Sequence, residues 1–484
     1  MQYETGTEAG SAPKRGSPAT WLLVGCVVVV MVAAVGYVVR RKMGYRPLPH
    51  TRIALRQPAQ APATPAAFAG ASEDWPKWRG PRGDGISRDA AVVAEIPRDG
   101  PPQLWAADVG IGYSSPVAAA GRVYLFTLNE RQETLTCFDA ATGQILWSDA
   151  ADAAPNWTGS YPGTRATPCI DGDSVYTYGG AGVLTRHDLA SGTPRWRIDV
   201  LKLTAARNLD WGTASSPLIT ADAVFVQGGK NAPLALAVRK DDGSVLWQSE
   251  SRGVAGYAHP ILIDVPGSPG APPRPQLIVF AGKAVVAMDP ATGKTLWQHP
   301  WETEYDVNSS TPIYRDGHLF VSSEYDHGCT MLRLSPTGAE KLWEHKQITC
   351  KFPGMILDGD ALYANSSGTI KCMSWPDGKI LWEAKDPNLR LGPGGSIVRF
   401  GGDKLLAMSE RGTLITATAT PQGITLLGQA QVLDARETWA TPLLYAGRLY
   451  AKGDTEFICF DLAGKAQSTA HSKPATATQA AEAK

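Results

Sequence analysis

The feature that most constrains the fold is a tryptophan that recurs along most of the chain. Seven tryptophans are spaced 39 to 51 residues apart, and leucine precedes most of them. They are Trp105, Trp147, Trp196, Trp247, Trp297, Trp343 and Trp382. Leu426-Leu427 marks a degenerate eighth copy. A period of this length is typical of repeat domains, in which each unit buries its apolar face against its neighbours. We therefore expect eight similar units.

Two further markers accompany the tryptophans. A turn such as Asp139–Gly143 or Asp289–Gly293 lies shortly before many of them. Aspartate satisfies backbone amides in such turns, and glycine adopts the positive φ that they require. A Ser/Thr/His-Pro step, for example Ser115-Pro116 or Thr167-Pro168, opens an apolar strand in most repeats. These markers delimit the repeat. Their residues are explained by backbone structure and need no catalytic role.

Each repeat contains four short apolar segments with strand character. In the first repeat, three of them are 123–128, 134–139 and 144–147, and the fourth begins at the proline step. Four strands in 40 to 50 residues indicate a blade of a β-propeller. The strand Gln103–Val109 precedes the first blade and supplies the outer strand that the last repeat lacks. The sequence thus predicts an all-β, eight-bladed β-propeller of four-stranded antiparallel blades, with the tryptophans packed between neighbouring sheets.

Composition divides the chain into segments. Residues 1–20 are polar, and residues 21–39 form an uncharged apolar run that is long enough for a single transmembrane helix. Residues 40–72 are first basic and then rich in Pro and Ala, as expected of an extended tether. The propeller is predicted over 73–465, and the low-complexity tail 466–484 is predicted to be disordered.

The charge balance excludes a nucleic-acid binder, but the distribution of charge does not decide on which side of the membrane the propeller lies. Lys+Arg and Asp+Glu both number 46, so the basic surplus of a nucleic-acid binder is missing. Basic residues are more frequent after the apolar run than before it, and the positive-inside rule would place the propeller in the cytoplasm. Large domains cross membranes regardless of flanking charge, so this bias does not decide the side.

The repeat Asp-x-x-Thr-Gly-x-x-x-Trp resembles that of the pyrroloquinoline-quinone (PQQ)-like propeller family, over residues 103–464. The motif Asp74-Trp-Pro-Lys-Trp-Arg-Gly-Pro81 resembles the segment that heads PQQ-like propellers of several bacterial groups. The resemblance implies eight blades and usually an extracytoplasmic location, here a periplasmic domain on the inner membrane. Members of the PQQ-like family include quinoprotein alcohol dehydrogenases and the non-catalytic BamB-like scaffold subunit of the outer-membrane β-barrel assembly machinery. The fold alone does not choose between them.

A quinoprotein dehydrogenase of this family carries adjacent cysteines over PQQ, an aspartate base and Glu/Asn ligands for Ca²⁺. The sequence contains no Cys-Cys pair and no haem-attachment motif, so neither PQQ nor Ca²⁺ is expected. Candidates for a Ca²⁺ site lie in two loops of the fifth blade that share a face. They are Glu302, Glu304, Asp306, Glu324, Asp326 and His327. The alternative is that these loops are simply solvated.

The residues that precede the innermost strands ring one mouth of the central channel. They are enriched in aromatic and charged side chains, which suit an interaction site. The predicted funnel comprises Tyr113, Arg165, Asp210, Trp211, Tyr257, His259, Asn308, Lys351, Glu437 and Trp439. The alternative for Trp211 and Trp439 is that they plug the channel. We expect a membrane-anchored, non-catalytic module for a protein partner, with a PQQ-dependent oxidoreductase with an atypical site as the alternative.

Overall fold

The computed structural model describes residues 73–152, 161–267, 270–352 and 354–463. The predicted transmembrane helix 21–39, the tether 40–72 and the tail 466–484 lie outside the described residues. Within the described part of the chain, no helix has the length and apolar character needed to cross a membrane.

The described residues form eight antiparallel sheets of at least four strands, one for each repeat, in the order in which they follow along the chain. Strand β1 is Gln103–Asp108. Blade 1 contains β2 (Val117–Ala119), β3 (Arg122–Asn129), β4 (Gln132–Asp139) and β5 (Ile145–Asp152). Blade 2 contains β6 (Cys169–Asp171), β7 (Ser174–Tyr178), β8 (Val183–Asp188) and β9 (Pro194–Asp199). Blade 3 contains β10 (Leu218–Ile219), β11 (Ala223–Gln227), β13 (Ala235–Arg239) and β14 (Val245–Gln248). Strands β12 (Lys230–Pro233) and β15 (Arg252–Val254) pair with each other and form a separate two-stranded sheet. Blade 4 contains β16 (Ile261–Val265), β17 (Arg274–Phe280), β18 (Ala284–Met288) and β19 (Thr295–Pro300).

The second half of the ring repeats this arrangement. Blade 5 contains β20 (Ile313–Arg315), β21 (His318–Ser323), β22 (Gly328–Ser335) and β23 (Gly338–His345). Blade 6 contains β24 (Met355–Asp358), β25 (Ala361–Ser366), β26 (Gly368–Ser374) and β27 (Ile380–Glu383), with β28 (Arg390–Gly392) also paired to β26. Blade 7 contains β29 (Ser396–Phe400), β30 (Lys404–Met408), β31 (Thr413–Thr420) and β32 (Gly423–Gln431). Blade 8 contains β33 (Leu443–Tyr445), β34 (Arg448–Lys452) and β35 (Glu456–Asp461). The described helices are α1 (Val200–Leu203) and a 3₁₀ turn (Pro387–Leu389).

The N-terminal strand closes the ring. Strand β1 pairs antiparallel with β35, and Trp105 lies opposite Cys459. Blade 8 therefore has the order β33-β34-β35-β1, with its outer strand taken from the opposite end of the repeat domain. This pairing leaves no blade short of a strand, and the predicted eight-bladed, all-β fold is confirmed.

The repeated tryptophans join neighbouring blades. The indole Nε1 of Trp105, on the outer strand of blade 8, donates to Ala140 O in the turn of blade 1 at 3.1 Å. Trp247 of blade 3 donates to Pro290 O of blade 4 at 2.9 Å. Trp196, Trp343 and Trp382 make the same type of bond to Lys240, Pro376 and Thr420 of the next blade. The indoles are buried or partly buried, as expected for packing between sheets.

The Ser/Thr-Pro steps form a second set of links, close to the axis. The Thr441 backbone N–H donates to Ser115 Oγ at 2.9 Å, and the Ser115 N–H donates to Thr167 Oγ1 at 3.2 Å. The Thr167 N–H in turn donates to Ser216 Oγ at 2.8 Å. Each hydroxyl thus satisfies a backbone donor of the preceding blade, which explains why Ser or Thr recurs before the proline.

The N-terminal residues Asp74–Asp89, which we name the channel segment, run across the central channel. Trp75 exchanges two backbone hydrogen bonds with Ala118 of blade 1. The backbone N–H of Arg399 in blade 7 donates to Gly85 O, and the Ser87 N–H donates to Arg399 O. The ends of the segment, Asp74 and Asp89, accept backbone N–H groups from the tight turns after β2 and β33. Because those turns follow the innermost strands, the segment enters and leaves at the face opposite the funnel.

Candidate functional site

The chain enters every innermost strand from the same face of the ring, which we name the funnel face. A cavity of about 230 Å³ opens there on the axis. Seven of the ten predicted funnel residues line it: Tyr113, Arg165, Trp211, Tyr257, His259, Lys351 and Trp439. They come from the connections before the inner strands of different blades, and the propeller geometry aims them at one axis.

The other three predicted funnel residues are placed differently. Asn308 is fully buried, and its side-chain amide donates to Ala281 O at 2.7 Å and to Gly282 O at 3.0 Å. Asp210 is exposed and accepts a hydrogen bond from Lys230 Nζ at 2.6 Å. Glu437 is half-buried outside the lining of the cavity, and burial together with Glu410 raises its pKa. Asn308 has a structural role that sequence position alone does not reveal.

Trp439 is the centre of the aromatic wall. Its ring stacks on Tyr113 with the centroids 4.5 Å apart and an interplanar angle of 28°. Phe352 and Tyr161 contact the same indole at 4.8 and 5.0 Å. Trp211 and Tyr257 form a second aromatic pair at 6.0 Å. The cavity persists between these groups, so Trp211 and Trp439 wall the channel mouth and do not fill it.

Two cationic side chains lie among these rings. Lys351 Nζ is 5.4 Å from the ring centroids of both Trp439 and Phe352. The guanidinium of Arg165 lies 5.4 Å from the ring centroid of Tyr113 and donates to Gly163 O at 2.9 Å. Burial lowers the pKa of Arg165 to about 10, so the group remains charged at neutral pH. Cation–π contacts in a desolvated site contribute about 0.5–2 kcal/mol each.

His259 is a neutral member of the lining. Its Nδ1 lies 2.9 Å from Ser216 O, which indicates that this nitrogen carries the proton. Burial, with smaller contributions from Lys77 and Arg79, lowers its pKa to about 4. His259 therefore contributes polarity but no charge to the cavity at neutral pH.

The floor of the cavity comes from the channel segment. Trp78 lines it and donates from Nε1 to Thr311 Oγ1 at 3.0 Å. The sequence predicted the segment only as the head of the repeat domain, and no periodic pattern places Trp78 in the channel. Tyr161, Tyr325 and Phe352 were also missed, because they are not at the repeated position before a Ser/Thr-Pro step.

Tyr325 is held in an unusual backbone conformation at the rim. It has φ +62°, and Asp326 beside it has φ +54°. For a bulky aromatic residue this left-handed conformation costs free energy and occurs most often at functional turns. Tyr325 contacts Tyr305 edge to face at 5.3 Å, and both rings are exposed. The rim thus exposes two aromatic rings beside the cavity.

The Ca²⁺ candidates are dispersed in the structure. Lys283 pairs with Glu302 at 3.5 Å, and Lys346 pairs with Asp326 at 3.0 Å. Ser367 Oγ donates to Glu324 at 3.0 Å, and His327 packs its ring against Trp301. Glu304 and Asp306 lie in the loop before blade 5. Among the described residues, no three His, Cys, Asp or Glu side chains are grouped closely enough to bind a metal ion.

The cavity can also be compared with the cofactor site that the resemblance implies. The described lining residues include no cysteine, and the six described cysteines are free and buried. The described lining residues also include no Asp, Glu or Asn that would serve as a Ca²⁺ ligand at the cofactor. The described lining therefore does not fit the cysteine pair and metal ligands of a PQQ dehydrogenase site.

The fold and the repeat together define an eight-bladed propeller of the PQQ-like class. The family described as "Outer membrane protein assembly factor BamB" matches residues 131–384, more than half of the chain. The chain therefore belongs to this family of PQQ-like β-propellers.

Solved structures share the fold at low sequence identity. BamB from Moraxella catarrhalis is 16% identical with a TM-score of 0.55, over 75% of this chain and 99% of that one. Quinohemoprotein alcohol dehydrogenase from Comamonas testosteroni is 13% identical with a TM-score of 0.56, over 83% and 82%. A polyvinylalcohol dehydrogenase from Pseudomonas sp is 27% identical over 186 residues, which is 38% of this chain and 24% of that protein. The match thus spans about a quarter of that relative, and the likenesses include proteins of both function classes.

Proposed function

We propose that this protein is a non-catalytic interaction module that captures a protein partner in the funnel. The observation that carries the proposal is the aromatic and cationic wall around Trp439, on a rigid ring of eight blades. Tryptophan, tyrosine and arginine dominate binding energy at protein interfaces, especially in desolvated pockets. A cavity of about 230 Å³ accommodates one or two side chains of an inserted segment.

Charge specifies the inserted segment further. The cations Lys351 and Arg165 face a lining in which the described residues include no Asp or Glu. A partner segment that combines an aromatic or apolar side chain with an acidic one would therefore be recognised best. The BamB-like fold supports assembly into an envelope complex as the setting.

Membrane attachment is the second part of the proposal. We assign residues 21–39 as an inner-membrane anchor, with the propeller on the extracytoplasmic side, because of their apolar length and the family resemblance. The channel segment begins at the face opposite the funnel, where Asp74 accepts the Ala120 N–H at 3.2 Å.

The test is partner capture from membranes with the full-length protein and two sets of variants. Arg165→Ala combined with Trp439→Ala removes one cation and the central ring, each with an expected cost of about 2 kcal/mol or more in binding. The matched control replaces Pro272 and Pro273 with Ala in the exposed loop between β16 and β17. We expect the funnel variant to lose the partner and the loop variant to retain it, with equal thermal stability.

The proposal is contradicted if the funnel variant captures the partner at full strength while the loop variant does not. Trp439 would then be a packing residue, and the binding face would be the opposite one. Circular dichroism of both variants separates loss of binding from loss of fold.

A second candidate function is oxidation by a quinoprotein with an atypical site. It is supported by the likeness to polyvinylalcohol dehydrogenase over 186 residues. Incubation of the protein with PQQ and Ca²⁺, followed by gel filtration, tests it through the visible absorbance of bound quinone. This function would be favoured over the interaction module if the parent protein retains the absorbance and the Trp439→Ala variant does not.

A further inference from the structure

We propose that the central channel binds one small monovalent anion, of the size of chloride, between the channel segment and the innermost strands. This site is separate from the funnel and independent of the proposed function. A second cavity, of about 20 Å³, lies between Trp78 and the inner strands of blades 1, 2, 6, 7 and 8. Arg79, Lys77, Thr441 and Ser115 are among its lining residues.

Arg79 is the principal reason for the proposal. Its side chain is only 9% exposed and lines this cavity. Nε donates to Gly83 O at 3.0 Å and Nη2 donates to Asp84 O at 3.1 Å, both backbone carbonyls. Nη1 is buried and has no hydrogen-bond partner among the described residues. The two carbonyl oxygens accept hydrogen bonds from Nε and Nη2, but they do not neutralise the charge of the guanidinium group.

Asp84 attracts Arg79 electrostatically, but its two carboxylate oxygens accept hydrogen bonds from other groups. Asp84 Oδ2 accepts from Arg82 Nε at 2.9 Å, and Asp84 Oδ1 accepts from the Ile86 N–H at 2.9 Å. Burial lowers the pKa of Arg79 to about 10 despite the attraction of Asp84, so the guanidinium is still protonated at neutral pH. Asp84 offsets only part of the cost of burying this charge, and a bound anion in contact with Nη1 would offset more of it.

The rest of the lining favours negative charge. Lys77 is a second cation at the same cavity. No Asp or Glu occurs among the described residues that line this cavity or the funnel above it. Both cations also contribute to the lowered pKa of nearby His259, which holds no compensating charge. The local potential at the cavity is therefore positive.

Hydroxyl groups supply further donors. Thr441 Oγ1 is buried without a hydrogen-bond partner among the described residues. Ser115 Oγ and Thr167 Oγ1 accept backbone N–H groups from neighbouring blades, so their own protons remain available to donate. The cavity thus combines a guanidinium N–H with hydroxyl protons, which suits an acceptor such as a halide.

Size selects the class of anion. A cavity of about 20 Å³ holds one group of about the size of a water molecule. Sulfate, phosphate and organic carboxylates are larger than this space. A water molecule would satisfy Nη1 but would add nothing to the partial compensation of the guanidinium charge by Asp84, so we assign a monatomic anion.

The test uses thermal unfolding of the full-length protein in detergent at constant ionic strength. Replacing sodium gluconate with sodium chloride or sodium bromide should raise the Tm by several degrees in a saturable way, because the anion binds the folded state. Arg79→Gln should abolish the chloride dependence, and Lys77→Gln should shift its midpoint to at least threefold higher chloride. Arg333→Gln is the matched control, since Arg333 is exposed and pairs with Glu340 on an outer pair of strands.

A crystal of the full-length protein grown in sodium bromide gives the direct measurement. The proposal expects an anomalous peak below Trp78 and within contact distance of Arg79 Nη1. Equal Tm in chloride and gluconate, with no bromide peak in the channel, would overturn it and leave a water molecule as the occupant. Retention of the full chloride effect in Lys77→Gln would also overturn it, even if Arg79→Gln does not fold.

Discussion

The indole ring of Trp247 lies directly against Gly293, the glycine that ends the tight turn of the neighbouring blade. A Cβ on residue 293 would be 2.5 Å from Cε3 of that ring, and Gly293 has φ +71°. Trp105 with Gly143 and Trp343 with Gly378 repeat this contact. Glycine is therefore required both for the backbone conformation and for the neighbouring tryptophan. The repeat motif describes a contact between consecutive blades.

This relationship predicts that Gly293→Ala destabilises the propeller well beyond the cost of positive φ. The left-handed backbone alone costs about 1–2 kcal/mol for an L-residue. Displacement of Trp247 adds an overpacking cost of about 1–3 kcal/mol. The free energy of unfolding, measured by urea denaturation, should fall by the sum of the two effects.

Gly172→Ala is the matched control for this substitution. Gly172 has φ +58° and would place its Cβ with nothing within 4 Å. It should therefore show the backbone cost alone. Equal losses of stability in Gly293→Ala and Gly172→Ala would mean that the indole contact contributes nothing.

Trp297 departs from the pattern and gives a second prediction. Its Nε1 donates to Gln276 Oε1 at 2.8 Å, and Gln276 Nε2 donates to Ser335 O and Pro336 O of blade 5. Gln276 is fully buried and replaces the direct bond between indole and turn. Gln276→Ala should lower the free energy of unfolding by about 2–4 kcal/mol, since it leaves a cavity and buried polar groups without partners.

The outer strand of the same blade, β19, offers the control for this prediction. Gln298 follows Trp297 and is exposed, so Gln298→Ala should change stability by less than about 0.5 kcal/mol. A Gln276→Ala protein as stable as Gln298→Ala would contradict the relay between the blades.

The repeat made the fold predictable, because packing and turn chemistry recur with the same residues in each blade. Blade number, strand content and the closure by β1 all follow from the positions of tryptophan, turn and proline step. Gln276 was not predicted, because its side chain replaces a bond that other blades make directly and leaves no periodic signal. Trp78 was not predicted for a related reason, since its position depends on a unique segment and not on a repeat.

The funnel was partly predictable for the same geometric reason. Residues at one repeat position converge on one axis, and seven of ten line the cavity. Asn308 occupies that position too, yet it turns inward and Ser323 Oγ donates to its side chain at 2.7 Å. Position in a repeat fixes where the backbone lies, whereas side-chain direction depends on local partners.

Deletion of residues 1–44 tests the predicted anchor. The apolar run 21–39 lies within the deleted segment, so the truncated protein should be found in the soluble fraction of the cell. Fractionation with membranes in high salt would contradict a single anchor. Protease accessibility of the full-length protein in spheroplasts then reports the side, and an extracytoplasmic propeller should be digested without lysis.

Glu133 predicts a pH dependence of stability. Its side chain is 2% exposed, and Oε1 accepts the Gly180 N–H of blade 2 at 2.6 Å. Burial raises its pKa from 4.5 to about 7, while the bonds to Gly180 and Ala181 act in the opposite direction. Between these two pH values the folded state binds more protons than the unfolded state. This contribution to stability is therefore fully present below about pH 4.5 and is lost as the pH rises to about 7.

Glu133→Gln should remove this contribution, because the amide oxygen still accepts the Gly180 N–H but never ionises. The difference in unfolding free energy between variant and parent should change by up to about 3 kcal/mol in favour of Gln between pH 4.5 and pH 7.5. Urea denaturation at several pH values measures it, and the exposed Glu340→Gln, which loses its pairing with Arg333, serves as the control. Parallel stability profiles for Glu133→Gln and the parent would show that the pKa of Glu133 is the same in the folded and unfolded states, so that burial against blade 2 does not favour the protonated carboxyl.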